Sequence, residues 1–134
     1  MTSNLRSELV LLESVSDASV RNALALRLAE TKRPEVLAVL LKLIDRPDLA
    51  DARATLVHCL GFYDYSAYFE LLVNLVAQGN WEVAHEAHGL LSSIDNLSGD
   101  EVSHGFELIE RLMREDIPDD WRRELLRDLS SMFE

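Results

Sequence analysis

The sequence VRNALALRLAETKRPEVLAVLLKLI at residues 20–44 returns, after a shift of 32 residues and without a gap, as ARATLVHCLGFYDYSAYFELLVNLV at residues 52–76. Val20-Arg21 lies over Ala52-Arg53, and the leucines that follow keep the same register. In both copies apolar residues recur three and four positions apart, which predicts amphipathic helices. A single helix pair of this kind cannot bury its apolar face alone, so the copies must stack to share a core.

Outward from this repeat, the same periodicity predicts eight helices joined by short connections. Asp17 is a candidate N-cap for the second helix, whose buried stripe is expected to include Val20, and Pro34 suits the first turn of the third. A third copy begins at Val83, and a longer loop near Gly99 displaces its second helix. The first helix is expected near residues 3–14, the second from 17 and the third at 34–44. The fourth follows a break at 45–48 and ends near 60, and the last four are expected at 66–78, 81–94, 100–115 and 118–133.

The predicted fold class is therefore all-α, a short right-handed α-solenoid of about eight helices in antiparallel pairs. We expect one domain over residues 1–134, with repeats near 17–48, 49–80 and 81–115 and terminal caps at 1–16 and 116–134. The repeat length, the Val-Arg opening and the leucine register resemble HEAT-like helical repeats over residues 17–115. That resemblance implies an architecture and says nothing about chemistry.

The charge of the chain is unevenly distributed along its length. The formal net charge is −11, yet residues 1–53 carry eight basic and eight acidic side chains. Residues 54–110 contain no Lys or Arg against nine Asp and Glu residues. An unmixed negative field repels nucleic acid and anionic membranes and steers a cationic protein, so the expected partner is basic.

Steering gives little affinity by itself, so the binding surface also needs anchors, and aromatic side chains are the candidates. Tyr63 and Tyr65 stand in a turn between two helices, and Trp81 stands at the next such turn, so the three are expected to form a row. The alternative is that these rings only pack on a neighbouring repeat. The predicted partner-binding residues combine these aromatics with the acidic and polar helix faces nearby: Tyr63, Asp64, Tyr65, Glu70, Asn74, Trp81, Glu82, His85 and Glu86.

The sequence predicts no enzymatic chemistry. Glu82 to His85 and Glu101 to His104 are Glu-x-x-His strings of the kind found in di-iron bundles, but short stacked helices do not enclose such a site. No Gly-rich phosphate loop and no paired nucleophile and base occur. We therefore expect no catalysis, no metal and no cofactor. The single cysteine, Cys59, and the lack of a leader or spanning segment predict a cytoplasmic protein.

Three segments carry a second resemblance: ATLVHCL at 54–60, YFELLVNLV at 68–76 and GNWEVAHEA at 79–87. Together they resemble the all-helical immunity proteins of bacterial contact-dependent growth inhibition systems, over about residues 20–94. The resemblance implies that the chain binds a cognate toxin domain, often a basic nuclease, and blocks its active site, as a monomer or in a 1:1 heterocomplex. Mimicry of the phosphates of RNA by the carboxylates listed above would be the mechanism.

Two other classes of function remain open at this point. A HEAT-like adaptor would bind a basic peptide or protein within a larger assembly. Small HEAT-like proteins also include bilin lyases and DNA glycosylases, but the missing basic stripe opposes a glycosylase and no residue argues for pigment binding.

Overall fold

The computed structural model describes residues 2–95 and 97–132, and that part of the chain contains helices and no strand. The all-α prediction is confirmed. The helices are α1 (Thr2–Ser14), α2 (Ala18–Ala29), α3 (Pro34–Ile44), α4 (Ala54–Cys59), α5 (Phe69–Gln78), α6 (Trp81–Ser92), α7 (Gly99–Met113) and α8 (Asp120–Met132). The predicted end of the last helix at Phe133 lies outside the described residues.

The middle of the chain is less regular than its periodicity predicts. Pro47–Leu49, Leu60–Phe62 and Ser66–Tyr68 are short 3₁₀ helices, so α4 keeps only six residues and α5 begins at Phe69 instead of Ser66. The expected helix reaching Leu60 thus ends one residue earlier.

Local sequence signals account for where the helices begin. The Asp17 side chain accepts a hydrogen bond from the Val20 amide at 3.1 Å, which confirms Asp17 as the N-cap of α2. Pro34 occupies the first turn of α3, as expected. Ser98 and Glu101 form a reciprocal capping box at the start of α7.

The chain divides into two compact units, Met1–Asp64 and Tyr65–Glu134. In the first unit α4 packs on α2 and α3, and α1 packs on α2 and α3. The first core contains the predicted repeat leucines of both copies, Leu24, Leu28, Leu40, Leu56 and Leu60. In the second unit α5 packs on α6, α7 and α8, and α8 also packs on α6 and α7.

Val20 does not belong to the buried stripe of α2, contrary to the prediction. Its side chain is 48% exposed, whereas the neighbouring Arg21 is only 3% exposed. The buried face consists of Arg21, Leu24, Ala25 and Leu28, which follow the i, i+3, i+4, i+7 spacing of one helix face. Val20 lies about 100° away from Arg21 around the helix and therefore faces outward.

Two arginines of the first unit, the buried Arg21 and the half-buried Arg53, bind the carbonyl groups at helix ends. Arg21 Nη2 donates to the Val15 carbonyl just after α1 at 2.6 Å, and Arg53 Nη1 donates to the Ile44 carbonyl at the end of α3 at 3.1 Å. These carbonyls have no partner within their own helix, and a cation also opposes the negative end of the helix dipole. The arginine at the second position of each repeat thus joins consecutive helix pairs within the first unit.

The second unit makes the same connection with an arginine from elsewhere in the sequence. In the third copy Val83 overlies Ala52, so Ala84 stands where an arginine would be expected. The carbonyl equivalent to that of Ile44 belongs to Val76, and it accepts a 2.7 Å hydrogen bond from Arg122 Nη1 of α8. Arg122 of the last helix therefore binds the carbonyl that the missing repeat arginine would bind.

Candidate protein-binding surface

The turn between α5 and α6 sets the position of the first candidate residues. A Cβ atom on the buried Gly79 would lie 2.6 Å from both the Leu75 carbonyl oxygen and Val83 Cγ1, so only glycine fits there. Asn80 then accepts a hydrogen bond from the Val83 amide at 2.9 Å and starts α6. This two-residue connection makes Trp81 the first residue of α6.

Trp81, His85 and Trp121 stack to form an aromatic cluster on α6 and α8. The ring centroids of Trp81 and His85 are 4.0 Å apart, and those of His85 and Trp121 are 5.7 Å apart. His85 Nδ1 lies 2.7 Å from the Trp81 carbonyl oxygen, which fixes the imidazole between the two indoles. Trp81 is nevertheless 55% exposed, so the cluster holds a large apolar ring in place and presents it to solvent.

Trp121 was not among the residues predicted from the sequence. It is held by Arg122, whose guanidinium carbon lies 4.4 Å from the centre of the Trp121 ring, within the range of a cation–π contact. Arg122 Nε also lies 3.2 Å from Asp119 Oδ2. The sequence did contain a signal, because the third repeat lacks its arginine and an Arg beside a Trp occurs at the start of the last helix.

Carboxylates lie at the helix starts that carry the cluster. Glu82 is exposed in the first turn of α6, next to Trp81, and Asp120 is exposed in the first turn of α8, next to Trp121. Negative charge is stabilising at both positions because the start of a helix is partially positive. Glu86, one turn after Glu82, is half-buried. The cluster therefore has an exposed carboxylate at each of its two helix starts, and the one on α8, Asp120, lies 3.5 Å from Arg123.

Glu70 and Asn74 lie on α5 and form a second group with α7. Glu70 Oε2 is 3.4 Å from Nε2 of His104, and the Asn74 side-chain amide donates to the Glu70 carbonyl at 3.1 Å. The His104 ring meets the Phe69 ring edge to face, with centroids 6.1 Å apart. Glu70 remains exposed, so its charge still faces solvent.

The hydroxyl groups of Tyr63 and Tyr65 bind backbone carbonyls. Tyr63 donates to Arg33 at 2.9 Å within the first unit, and Tyr65 donates to Leu90 at 2.8 Å within the second. Both tyrosines are half-buried, and burial raises the pKa of the Tyr63 phenol. Of the three aromatics in the expected row, only Trp81 is exposed; Asp64, between the tyrosines, is exposed as well. Their role in binding stays a prediction.

The two Glu-x-x-His strings are engaged in other contacts. His85 lies in the aromatic cluster and His104 faces Glu70. Within residues 2–95 and 97–132, no three His, Cys, Asp or Glu side chains converge in a way that could hold a metal ion. No helix in that part of the chain has the length and apolar character needed to cross a membrane.

Comparison with known proteins gives one match. No curated protein and no solved structure matches the chain. A family model described as HEAT repeats matches residues 9–92, which is more than half of the chain and extends from α1 to the end of α6. The matched region contains both copies of the repeat, the contact of Arg21 with the Val15 carbonyl and the contact of Arg53 with Ile44 that joins the first copy to the second. The chain belongs to the HEAT repeat family.

Proposed function

We propose that this HEAT-repeat scaffold binds a basic protein, with Trp81 as the anchor and the neighbouring carboxylates as the charged rim. One observation carries the proposal: the stacked aromatic cluster keeps Trp81 55% exposed beside the exposed Glu82. Both residues belong to the segment 54–110, which contains no Lys or Arg. Tryptophan is one of the side chains enriched among the residues that contribute most of the energy of protein interfaces.

Rigidity matters because binding must overcome the entropy of ordering side chains. A tryptophan already stacked on His85 loses little freedom when a partner covers it. The carboxylates of Glu70 and Glu82 add long-range attraction for Lys and Arg, which raises the association rate more than the affinity. Anchor and rim therefore contribute to different rate constants, and the two contributions can be measured separately.

The finer proposal is that the partner is a cognate toxin domain and that the chain is its immunity protein. It is supported by the resemblance of the segments within residues 54–87 and by the negative field of residues 54–110. A nuclease holds RNA phosphates with Lys and Arg, and a surface of fixed carboxylates competes for those same groups. Binding of this kind covers the active site and prevents substrate from entering.

A second candidate function is that of an adaptor that joins a basic protein to a larger assembly. Membership of the HEAT repeat family favours it, since stacked helical repeats form extended binding surfaces. The two candidates differ in one respect that can be measured: an immunity protein abolishes the activity of its partner, whereas an adaptor leaves that activity intact.

The experiment starts with capture of the partner from host lysate at low salt, elution with a salt gradient and identification by mass spectrometry. The recombinant partner is then tested for nuclease activity with and without the chain. Loss of activity at a 1:1 ratio supports immunity, and undiminished activity supports the adaptor. Failure to retain any basic protein contradicts both.

Variants then separate the anchor from the rim. Replacing Trp81 by Ala should speed dissociation and weaken binding about 30-fold or more, as expected for a hot spot worth about 2 kcal/mol. Replacing Glu70 and Glu82 together by Gln should slow association and reduce its dependence on salt. Val20→Ala and Glu30→Gln, exposed changes in the first unit, are the matched controls. Unchanged kinetics in the Trp81 variant would refute the proposed anchor.

A further inference from the structure

The outer face of α1 is apolar at its centre and charged at both ends. Arg6, Leu9, Val10 and Glu13 follow the i, i+3, i+4, i+7 spacing of a single helix face. Val10 is 60% exposed. Leu9 and Val10 line a groove of about 370 Å³ together with Val39 of α3. The outer faces of terminal helices in repeat proteins are normally polar, so an apolar centre is unusual on this face.

The arrangement of charges on this face is complementary to itself. Arg6 and Glu13 are seven residues apart, so they lie on the same side of α1 about 10 Å apart along the helix axis. If two copies of α1 pack antiparallel around a two-fold axis between positions 9 and 10, Arg6 of each copy meets Glu13 of the other. The same operation brings Leu9 and Val10 against their own copies, as an isologous interface requires.

The charge of the groove and of the chain also favours a second copy as the occupant. The groove edge adds Arg33 and Glu35, one charge of each sign. Residues 1–53 are electrically neutral, whereas the remainder of the chain carries the whole net charge of −11. Two copies that approached through that remainder would repel each other, so the neutral segment is where association is least opposed.

We propose that two copies of this chain associate through the α1 face, formed by Arg6, Leu9, Val10 and Glu13. The pairing does not depend on the proposed function, because it uses none of the residues of the aromatic cluster. The pairing changes the expected stoichiometry of the complex with a basic partner. A chain that pairs in this way forms a 2:2 complex, whereas a monomer forms a 1:1 complex.

Sedimentation equilibrium over a range from low micromolar to millimolar concentration tests the pairing. The wild type should reach the mass of a dimer, and Val10→Asp should abolish this because it buries a carboxylate against its own copy. Val20→Asp is the matched control, since Val20 is a similarly exposed valine (48%) that lies outside the groove. Both variants should keep the wild-type circular dichroism spectrum, which excludes unfolding as the cause.

A charge exchange tests the two-fold arrangement itself. Arg6→Glu should weaken the dimer about tenfold or more, because two like-charged contacts replace two ion pairs. Adding Glu13→Arg to that variant should restore the dimer, although it removes the contact of Glu13 with Lys42 (2.7 Å) within the chain. No restoration would overturn the antiparallel register. A wild type that stays monomeric throughout would overturn the pairing.

Discussion

Replacement of Arg122 by Ala tests how the last helix is attached to the repeats. In the folded protein the Arg122 side chain is 13% exposed, and its guanidinium donates to the Val76 carbonyl at 2.7 Å and lies over the Trp121 ring. A hydrogen bond from a charged group contributes about 1.5–3 kcal/mol. A cation–π contact adds about 0.5–1 kcal/mol. The half-exposed pair with Asp119 adds little. We therefore expect the variant to lose about 2–4 kcal/mol of its free energy of unfolding.

Urea denaturation followed by circular dichroism measures this loss. Arg127→Ala is the matched control, since Arg127 lies on the same helix and is exposed, and it should change the free energy of unfolding by less than about 0.5 kcal/mol. Arg122→Lys should recover only part of the loss, because an ammonium group cannot reproduce the planar guanidinium over the indole. A loss below about 1 kcal/mol in Arg122→Ala would refute the claim that this arginine replaces the missing repeat arginine.

Two further predictions concern the turns. Gly79→Ala should destabilise the protein by about 1–3 kcal/mol, because its Cβ would overlap the Leu75 carbonyl. Gly89→Ala should stabilise α6 by about 0.5–1 kcal/mol, because a Cβ at Gly89 meets nothing within 4 Å. Equal effects of the two substitutions in urea denaturation would contradict this. Tyr63→Phe should cost about 1 kcal/mol near pH 8 through the lost hydrogen bond to Arg33. Burial raises the folded-state pKa of Tyr63 above 10.0, so the wild type loses stability as pH rises through that pKa and the gap to the variant should narrow near pH 11; a gap that stays constant would argue against this titration.

The repeat was predictable from the sequence because apolar spacing and helix starts are local signals. The Asp17 N-cap and the place of Pro34 in α3 follow from residues within a few positions of one another, and the repeat follows from comparing such local patterns 32 residues apart. Val20 could not be assigned in this way. Its outward orientation depends on Arg21, which turns inward to reach a carbonyl six residues earlier, and spacing alone favours the valine for the buried position.

The candidate surface was predictable in part. Trp81, Glu82 and His85 are close in sequence and share a helix, so their proximity follows from the helical repeat alone. Trp121 joins them from a helix 40 residues later, through the packing of α6 on α8, and no local pattern reveals that contact. The hydrogen bonds of Tyr63 and Tyr65 likewise reach 30 and 25 residues along the chain.

Many of the basic side chains of this chain bind its own backbone carbonyls. Arg21, Arg46, Arg53, Arg122 and Arg123 each donate to a backbone carbonyl, so five of the thirteen basic side chains serve the scaffold. The acidic residues of helix first turns, such as Glu82 and Asp120, remain exposed because a helix start stabilises them from outside. In the third repeat the arginine that binds the Val76 carbonyl comes from α8, and residues 54–110 contain nine Asp and Glu residues and no Lys or Arg. The negative field that is proposed to attract a basic partner therefore comes from the composition of residues 54–110.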